Sequence, residues 1–255
     1  MSEIMYGFPP AEPNQASLAN WRKAPYCHWA FHHVREIIPS AEIPNDPTDV
    51  WELERGTIDT SSLGLDDAMV ATDSDAVVVL HKDKLVHESY RNGMTSRDPH
   101  ILMSVSKSML GLVAGTLVER GELAEDDLIT KHVPELENTA YVGATVRDLL
   151  DMRAGVLFDE DYLATDGPII DYRFAANWNP VPKDHAASDL RSFMSLLTEP
   201  DGPHSGRFHY VSPNTDLLAW VFERASGMRY AKLVSERLWK PLGAEASGYI
   251  TLDRI

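Results

Sequence analysis

An S-x-x-K motif occurs once in this chain, as Ser104-Val105-Ser106-Lys107. On a helix, residues three positions apart share one face, and their side-chain roots lie about 5–6 Å apart. A lysine amine at that distance can take the proton of a serine hydroxyl, so the motif pairs a nucleophile with a base and indicates acyl transfer through a covalent intermediate. The motif alone is weak evidence, because average Ser and Lys usage produces roughly one by chance in a few hundred residues.

The segment that carries the motif is predicted to be a buried helix over residues 104–119. Its apolar residues cover more than one helical stripe, and a helix that is apolar nearly all round lies in a core. These residues are Val105, Met109, Leu110, Leu112, Val113, Leu117 and Val118. Gly121 is expected to end the helix. Ser104 would then stand at its N-terminal end, where backbone N–H groups and the helix dipole favour developing negative charge.

Two β-rich runs precede this helix. The runs 76–81 and 84–90 flank the charged pair Lys82-Asp83 and predict an antiparallel hairpin over residues 76–90. Further upstream, residues 1–18 are rich in Pro and Asn and predict an extended arm. The aromatic residues between Asn20 and Val34 predict a packed helix.

The rest of the chain is predicted to be mainly helical. The expected helical segments are 123–133, 145–152, 189–197, 214–225 and 229–239. Thr145 and Asp148 form a capping-box pattern at the start of one of them. Residues 155–182 form a long stretch rich in Asp, Gly, Pro and aromatic residues, and loops of that length are usually functional lids or disordered.

These segments suggest a division of the chain into an α/β domain and an insertion. We expect residues 19–120 to form the first part of the α/β domain and residues 121–205 to form a helical insertion that contains the lid loop. Residues 206–255 would return to the α/β domain.

Composition excludes several classes of partner. The formal net charge of −16 over 255 residues repels phosphate backbones and anionic lipids, so neither nucleic acid nor a membrane surface is expected, and a cationic ligand fits better. No signal-type segment occurs, nor an apolar run of the ~18 residues that a membrane span needs, so we expect a cytoplasmic protein. The single cysteine, Cys27, allows neither an intrachain disulfide nor a thiolate zinc cluster. We expect no metal and no organic cofactor.

Several segments, in this order, resemble the serine β-lactamase and penicillin-binding-protein superfamily. Besides the S-x-x-K motif they are Gly121-x-Leu123-x-x-x-Asp127, Val133-Pro134-Glu135-Leu136, and the segment from Thr145 to Gly155, which is close to T-x-x-x-L-L-x-x-x-S-G with Ala154 at the Ser place. The resemblance implies an α/β (α+β) fold of the β-lactamase/transpeptidase type. In that fold an antiparallel sheet is flanked by helices, an all-helical insertion is added, and the site lies in the cleft between them.

The second catalytic element of that superfamily is expected about a hundred residues after the serine. An S-D-N segment is absent. The segment from Phe208 to Leu218 lies at the right place, with Tyr210 aligned to the superfamily's catalytic tyrosine and Ser212 where many relatives have Asn. No E-x-x-L-N segment occurs, since Glu160 is followed by Asp161-Tyr162-Leu163-Ala164. A deacylating glutamate of the class A lactamase type is therefore not expected.

Other segments resemble the nylon-oligomer amidases, the branch of the superfamily that hydrolyses 6-aminohexanoate dimers. They are Phe-x-Tyr-x-Ser-x-Asn-Thr-Asp at 208–216, Ala19-Asn20-Trp21-Arg22, and the segment from Phe31 to Pro39. The resemblance implies that Ser104 is the acylated nucleophile, that Lys107 is its base, and that Tyr210 carries protons to the leaving amine. It also assigns Tyr162, Asp171 and Ser212 to substrate binding, with Tyr162 closing over the substrate and Asp171 holding its ammonium end.

The chemistry of these residue types agrees with such roles. A lysine serves as a base near neutral pH only if burial lowers its pKa. A tyrosine beside a lysine that alternates between charged and neutral can exchange protons, although its free pKa near ~10 would otherwise prevent it.

One element of the superfamily is missing from this sequence. Relatives continue with two or three antiparallel strands and a K-T-G or H-x-G motif, whose backbone N–H supplies half of the oxyanion hole. Losing one oxyanion donor costs roughly 10²–10³ in turnover. We therefore expect a fragment or one half of a split enzyme, inactive alone, with a homodimer or a complementing C-terminal segment as its protein partner.

The leading functional hypothesis is a serine amidase acting on small linear amides. A carboxylesterase of the same superfamily is the second reading, because the same residues serve both reactions. A β-lactamase or DD-peptidase is the third, disfavoured because those enzymes act outside the cytoplasm. A reading from another class is a catalytically incomplete binding partner, in which Ser104 merely begins a helix.

Overall fold

The computed structural model describes residues 3–186 and 188–254, which form two compact units. The first comprises residues 3–38 and 47–101, and the second comprises residues 39–46 and 102–254. The α-helices of the described residues are α1 (Cys27–Ala30), α2 (Leu65–Ala71), α3 (Ser106–Glu119), α4 (Ile129–His132), α5 (Val146–Leu150), α6 (Pro168–Ala175), α7 (Leu190–Met194), α8 (Ser212–Ser226) and α9 (Tyr230–Val234). The strands are β1 (Ser40–Ile43), β2 (Ala76–His81), β3 (Lys84–Tyr90) and β4 (Gly248–Thr251).

A β-hairpin organises the first unit. Strands β2 and β3 pair antiparallel, with Ala76 opposite Tyr90. Lys82 and Asp83, which connect them, both have positive φ, at 51° and 60°. Two such residues give the backbone twist that a two-residue hairpin loop needs. Helix α2 buries Met69, whose sulfur accepts a hydrogen bond from the β3 hydroxyl of Ser89 at 3.1 Å.

The N-terminal part of the first unit differs from the sequence prediction. The helix expected over 20–34 is reduced to α1 and a 3-10 turn at Val34–Glu36. Pro25 explains the late start, because proline has no amide hydrogen and disfavours helical backbone in the residue before it. The expected extended arm instead folds back on itself. Within it Met5 N–H donates to the Asn14 carbonyl, and Ile4 is buried.

The second unit is built around α3 and α8. Their inward side chains share one hydrophobic core: Leu110, Val113, Ala114 and Leu117 from α3, and Leu217, Leu218, Val221 and Phe222 from α8. Strands β1 and β4 pair antiparallel at one side, with Ser40 opposite Thr251. Among the described residues, the expected antiparallel sheet is thus represented by two separate two-stranded ladders.

Helix α3 differs from its prediction in two ways. Ser104 precedes it, in a 3-10 turn at Met103–Val105, and regular helix begins at Ser106. One face is also open, because Ser108, Gly111, Leu112 and Gly115 are exposed and Leu112 keeps 57% of its surface. The prediction that α3 is buried nearly all round is therefore wrong for this face of the helix within the described residues. Gly121, with a φ of 70°, follows the helix end as expected.

In the described residues of the segment 121–205, the structure has short helices and isolated bridges between extended residues. The expected lid loop 155–182 is not entirely irregular, because it holds α6. Gly167, with a φ of 85°, and Pro168 at the first helical position mark the start of that helix. Proline is favoured at this position because its missing N–H would have no helical partner. The segment expected to be helical over 229–239 is α9 followed by a π-helical turn at Ser235–Trp239.

Within residues 3–186 and 188–254, no helix has the length and apolarity to cross a bilayer.

Candidate active site

Ser104, Lys107 and Tyr210 meet at one oxygen atom in the second unit. The Tyr210 hydroxyl donates to Ser104 Oγ at 2.8 Å, and Lys107 Nζ donates to the same atom at 3.3 Å. The Lys107 ammonium also lies 5.2 Å from the centroid of the Tyr210 ring. The three residues that the sequence singled out for acyl transfer are thus in mutual contact.

A tight turn presents the Ser104 side chain. Met103, directly before it, has a φ of 47°, in the left-handed region that a non-glycine residue rarely adopts. The Ser106 hydroxyl donates to the Met103 carbonyl at 2.6 Å, and the Val105 N–H donates to the Leu102 carbonyl at 3.0 Å. These bonds hold a conformation that costs about 1–3 kcal/mol, and such conformations cluster at functional sites. Ser104 is exposed at this turn.

Lys107 reaches Ser104 from the first turn of α3, and Tyr210 reaches it from the connection that leads into α8. That connection is anchored before Tyr210, where His209 N–H donates to the Met152 carbonyl at 2.8 Å. Val211 continues it in an extended conformation up to the start of α8.

The surroundings of Tyr210 lower its pKa below the ordinary value of 10. Burial by itself raises that pKa, but the hydrogen bonds with Ser104 and Lys107 and the positive charge of Lys107 outweigh the effect of burial. The phenolate form is therefore more accessible than in a free tyrosine. Tyr210 can accept a proton as well as donate one.

Tyr162 and Ser212 meet at a residue that the sequence analysis did not assign to the site. The Glu160 carboxylate accepts hydrogen bonds from the Tyr162 hydroxyl at 2.8 Å, from the Ser212 hydroxyl at 2.6 Å and from the Ser212 N–H at 2.7 Å. Ser212 is 7% exposed, whereas Tyr162 is 62% exposed. Desolvation, the hydrogen bond to Glu160 and the negative charge of Glu160 raise the pKa of Tyr162 to about 12.

Asp171 makes none of the hydrogen bonds that join Glu160, Tyr162 and Ser212. It stands in the first turn of α6, its side chain is 50% exposed, and its carboxylate lies 3.8 Å from His185 Nε2. The structure joins it to neither Ser104 nor Tyr210 by a contact among the described residues.

Asp216 is a second residue that sequence reasoning missed. It lies on α8 one turn after Ser212, and its carboxylate accepts a short hydrogen bond from the Tyr172 hydroxyl of α6. Burial raises its pKa to about 6, against the opposing effects of Tyr172 and of the Lys107 charge. A signal was present in the sequence, because an acidic residue four positions after Ser212 interrupts the apolar pattern of α8.

No three His, Cys, Asp or Glu side chains are arranged to hold a metal ion in the described part of the chain.

Comparisons with known proteins agree on one family. The family model described as Beta-lactamase matches residues 65–253. The 6-aminohexanoate-dimer hydrolase of Paenarthrobacter ureafaciens is 34% identical over 250 residues, which cover 97% of this chain and 63% of that protein. Penicillin-binding protein 4* of Bacillus subtilis (strain 168) is 28% identical over 177 residues, 63% of this chain and 34% of that protein.

A solved structure shows a similar fold over most of this chain. A Bacillus anthracis protein provisionally named as a 6-aminohexanoate-dimer hydrolase superposes with a TM-score of 0.86 at 25% identity, over 96% of this chain and 66% of that one. The hydrolase EstCE1 shares the fold alone, with a TM-score of 0.54 at 20% identity, over 72% of this chain and 51% of that one. This chain spans about two thirds of the length of the Paenarthrobacter ureafaciens and Bacillus anthracis proteins.

Proposed function

Because the chain belongs to the β-lactamase family, we propose that it is a serine hydrolase that cleaves small linear amides through an acyl-enzyme on Ser104. The observation that carries the proposal is the contact of one serine oxygen with both Lys107 and Tyr210, at 3.3 Å and 2.8 Å. An amide is a poor electrophile with a poor leaving group, and splitting its hydrolysis into two steps lowers each barrier.

In the acylation step, neutral Lys107 takes the proton of the Ser104 hydroxyl while Oγ bonds to the substrate carbonyl carbon. The carbonyl oxygen becomes an oxyanion. When the C–N bond breaks, the leaving nitrogen receives a proton from Tyr210, and Lys107 returns a proton to the phenolate. The contact of Lys107 with Tyr210 supports this exchange.

In the deacylation step, a water molecule attacks the ester carbonyl that Ser104 now carries. Lys107 or the Tyr210 phenolate takes the water proton, the acid product leaves, and Ser104 Oγ is protonated again. The lowered pKa of Tyr210 favours its part in this step, because a phenolate is a competent base only when it forms near the working pH.

The substrate class is inferred from similarity and from charge. The Paenarthrobacter relative is named for a linear amide that carries one amino end, and a chain with a net charge of −16 attracts a cationic ligand. We therefore propose an aminoalkyl amide, bound beside Tyr162 and with Asp171 as the candidate partner of its ammonium group. Ser212 stays a candidate substrate contact, because its hydroxyl donates to Glu160 and its oxygen can still accept a hydrogen bond.

We also propose that further polypeptide completes the site. The oxyanion needs backbone donors, and the open face of α3, with Gly111, Leu112 and Gly115, leaves room for a packed segment. The partner we favour is a complementing segment equivalent to the third of the Paenarthrobacter relative that this chain does not match. Adding that segment should raise turnover, whereas a homodimer would instead make turnover depend on the concentration of this chain alone.

The test of the proposed function compares three substrates with and without that segment. They are the linear 6-aminohexanoate dimer, the same dimer acetylated on its amino end, and p-nitrophenyl acetate. We expect kcat/KM to be higher for the free dimer than for its acetylated form. All turnover should be lost in Ser104→Ala. Turnover of the ester without either amide would indicate a carboxylesterase, and activity retained in Ser104→Ala would contradict the proposal.

A further inference from the structure

The Glu160 carboxylate bridges two parts of the second unit that both contribute to the candidate site. On one side it accepts from the hydroxyl of Tyr162, which belongs to its own loop. On the other it accepts from both the N–H and the hydroxyl of Ser212, the first residue of α8. All three distances lie between 2.6 and 2.8 Å. Hydrogen bonds to an ionised acceptor at such distances are roughly twice as strong as neutral ones.

The Glu160 carboxylate also lies at the N-terminal end of α8, where it is favoured electrostatically. The first N–H groups of a helix have no partner inside it, and the N-terminal end carries partial positive charge. Helix α8 begins at Ser212, whose N–H has no partner inside the helix, so an acceptor outside the helix can satisfy it. Glu160 performs this function with one oxygen and holds the Ser212 side chain with the other.

The loop that carries Glu160 is anchored on both sides. Before it, Phe158 is fully buried and packs edge-on against Tyr172, with ring centroids 5.9 Å apart. After it, the Tyr162 carbonyl accepts a hydrogen bond at 3.2 Å from Arg173, which is only 9% exposed. Because both anchors belong to the packed interior, the carboxylate is held at a fixed place relative to α8.

We propose that Glu160 is the positioning residue that holds Tyr210 against Ser104 and orients Tyr162 beside it. Glu160 touches neither Ser104 nor Tyr210 and acts through Ser212 and Tyr162. Tyr210 lies outside any helix, on a short connection fixed at His209 on one side and at Ser212 on the other. Release of Ser212 frees one end of that connection, and the 2.8 Å contact between Tyr210 and Ser104 is lost for part of the time.

This inference rests on the proposed function, and it predicts a particular split between substrates. The leaving nitrogen of an amide must be protonated, which needs a well-placed Tyr210, whereas p-nitrophenolate leaves without a proton. In Glu160→Gln, with the complementing segment present, we expect kcat for the amide to fall by about 10-fold or more. The pre-steady-state rate of p-nitrophenol release from p-nitrophenyl acetate, which reports acylation alone, should change by less than about 3-fold. The matched control is Glu199→Gln, an exposed glutamate of the same unit, which should leave both values unchanged.

A merely structural role would lower both rates together, and that result would overturn the proposal. Unchanged rates for both substrates would overturn it as well. Hydrogen exchange of the backbone over residues 208–213 gives a test without turnover. It should be faster in Glu160→Gln than in Glu199→Gln, and equal exchange would contradict the proposed contact network. If the wild-type chain turned over neither substrate even with the complementing segment added, the proposed function would fail, and the exchange comparison would still decide the positioning by Glu160.

Discussion

The Tyr210 hydroxyl donates to Ser104 Oγ over 2.8 Å, although 106 residues separate the two in the chain. Lys107 reaches the same oxygen from the next turn of backbone. A serine hydroxyl alone is a weak nucleophile, and its reactivity depends on a neighbour that takes its proton. Here two groups contact the serine oxygen: Lys107, which is close in sequence, and Tyr210, which stands on the connection that leads into α8. Each of them can pass a proton to the other.

Replacement of Lys107 by alanine should impair acylation. The variant loses the only amine that contacts Ser104 within the described residues, and loss of a general base costs about 10²–10⁴ in rate. The measurement is the pre-steady-state release of p-nitrophenol from p-nitrophenyl acetate. Lys131→Ala, which removes an exposed lysine paired with Asp127, is the control and should acylate like the wild type. Equal rates in the two variants would exclude Lys107 as the base.

The first tyrosine to ionise should be Tyr210. Its pKa lies below 10 because the interactions with Ser104 and Lys107 outweigh burial, whereas the pKa of Tyr162 is raised to about 12. Phenolate absorbance followed against pH should therefore show an early step that is absent in Tyr210→Phe. In Lys107→Ala the step should move to higher pH, because burial then acts without the opposing charge. An early step that persists in Tyr210→Phe would assign it to another tyrosine.

Asp216 should make stability fall as pH rises. Its pKa is raised to about 6 from 3.8, so the folded chain keeps this proton in a window where the unfolded chain has released it. Stability from this group is full below that window, declines through it and is lost above about pH 6. Asp216→Asn cannot ionise, and its amide oxygen can still accept from Tyr172.

The expected gain of Asp216→Asn over the wild type, from about pH 4 to about pH 7, is on the order of 1–2 kcal/mol of unfolding free energy. The full pKa difference would give more, but Asp216 keeps partial contact with solvent. Urea unfolding at both pH values measures the gain. A difference between variant and wild type that is independent of pH would contradict the raised pKa.

Gly155 should tolerate no side chain. Its φ is 62°, and an added Cβ would lie 2.5 Å from the Gly202 carbonyl oxygen. We expect Gly155→Ala to lower the free energy of unfolding by about 2–4 kcal/mol, from backbone strain and overpacking together. Gly115→Ala is the matched control, since nothing lies within 4 Å of an added Cβ at that position of α3. It should be neutral or stabilising by about 0.5–1 kcal/mol, because alanine favours helix. Similar losses in both variants would contradict the close approach at Gly155.

The local half of the site could be predicted from the sequence by physical reasoning. Ser104 and Lys107 are three residues apart, so their contact follows from helix geometry even though Ser104 itself lies in a 3-10 turn. Tyr210 could not be placed this way, because no local rule relates residues 106 positions apart. Its assignment came from the resemblance to a superfamily.

Glu160 and Asp216 show what sequence patterns do not encode. Glu160 looks like one more acid in an acidic loop, and its role depends on the start of α8, a segment 52 residues away. Asp216 depends on Tyr172, 44 residues before it. Helix lengths were overestimated at 20–34 and 123–133, where regular helix begins only at Cys27 and at Ile129. Pro25 accounts for the first of these late starts. Burial of α3 was overestimated because composition reports what a helix could bury and not which neighbours are present.

The central claim is that Ser104 is a nucleophile activated by its neighbours, and covalent labelling tests it most directly. After exposure of the chain to a fluorophosphonate, intact mass and peptide mapping should find one label, on Ser104. Ser104→Ala should take none, and Lys107→Ala should be labelled about 10²–10⁴-fold more slowly. Ser108→Ala, which removes an exposed serine from the same helix, should be labelled like the wild type. A label on another serine, equal labelling in Lys107→Ala, or no label on the folded chain in the presence of the complementing segment would contradict the account.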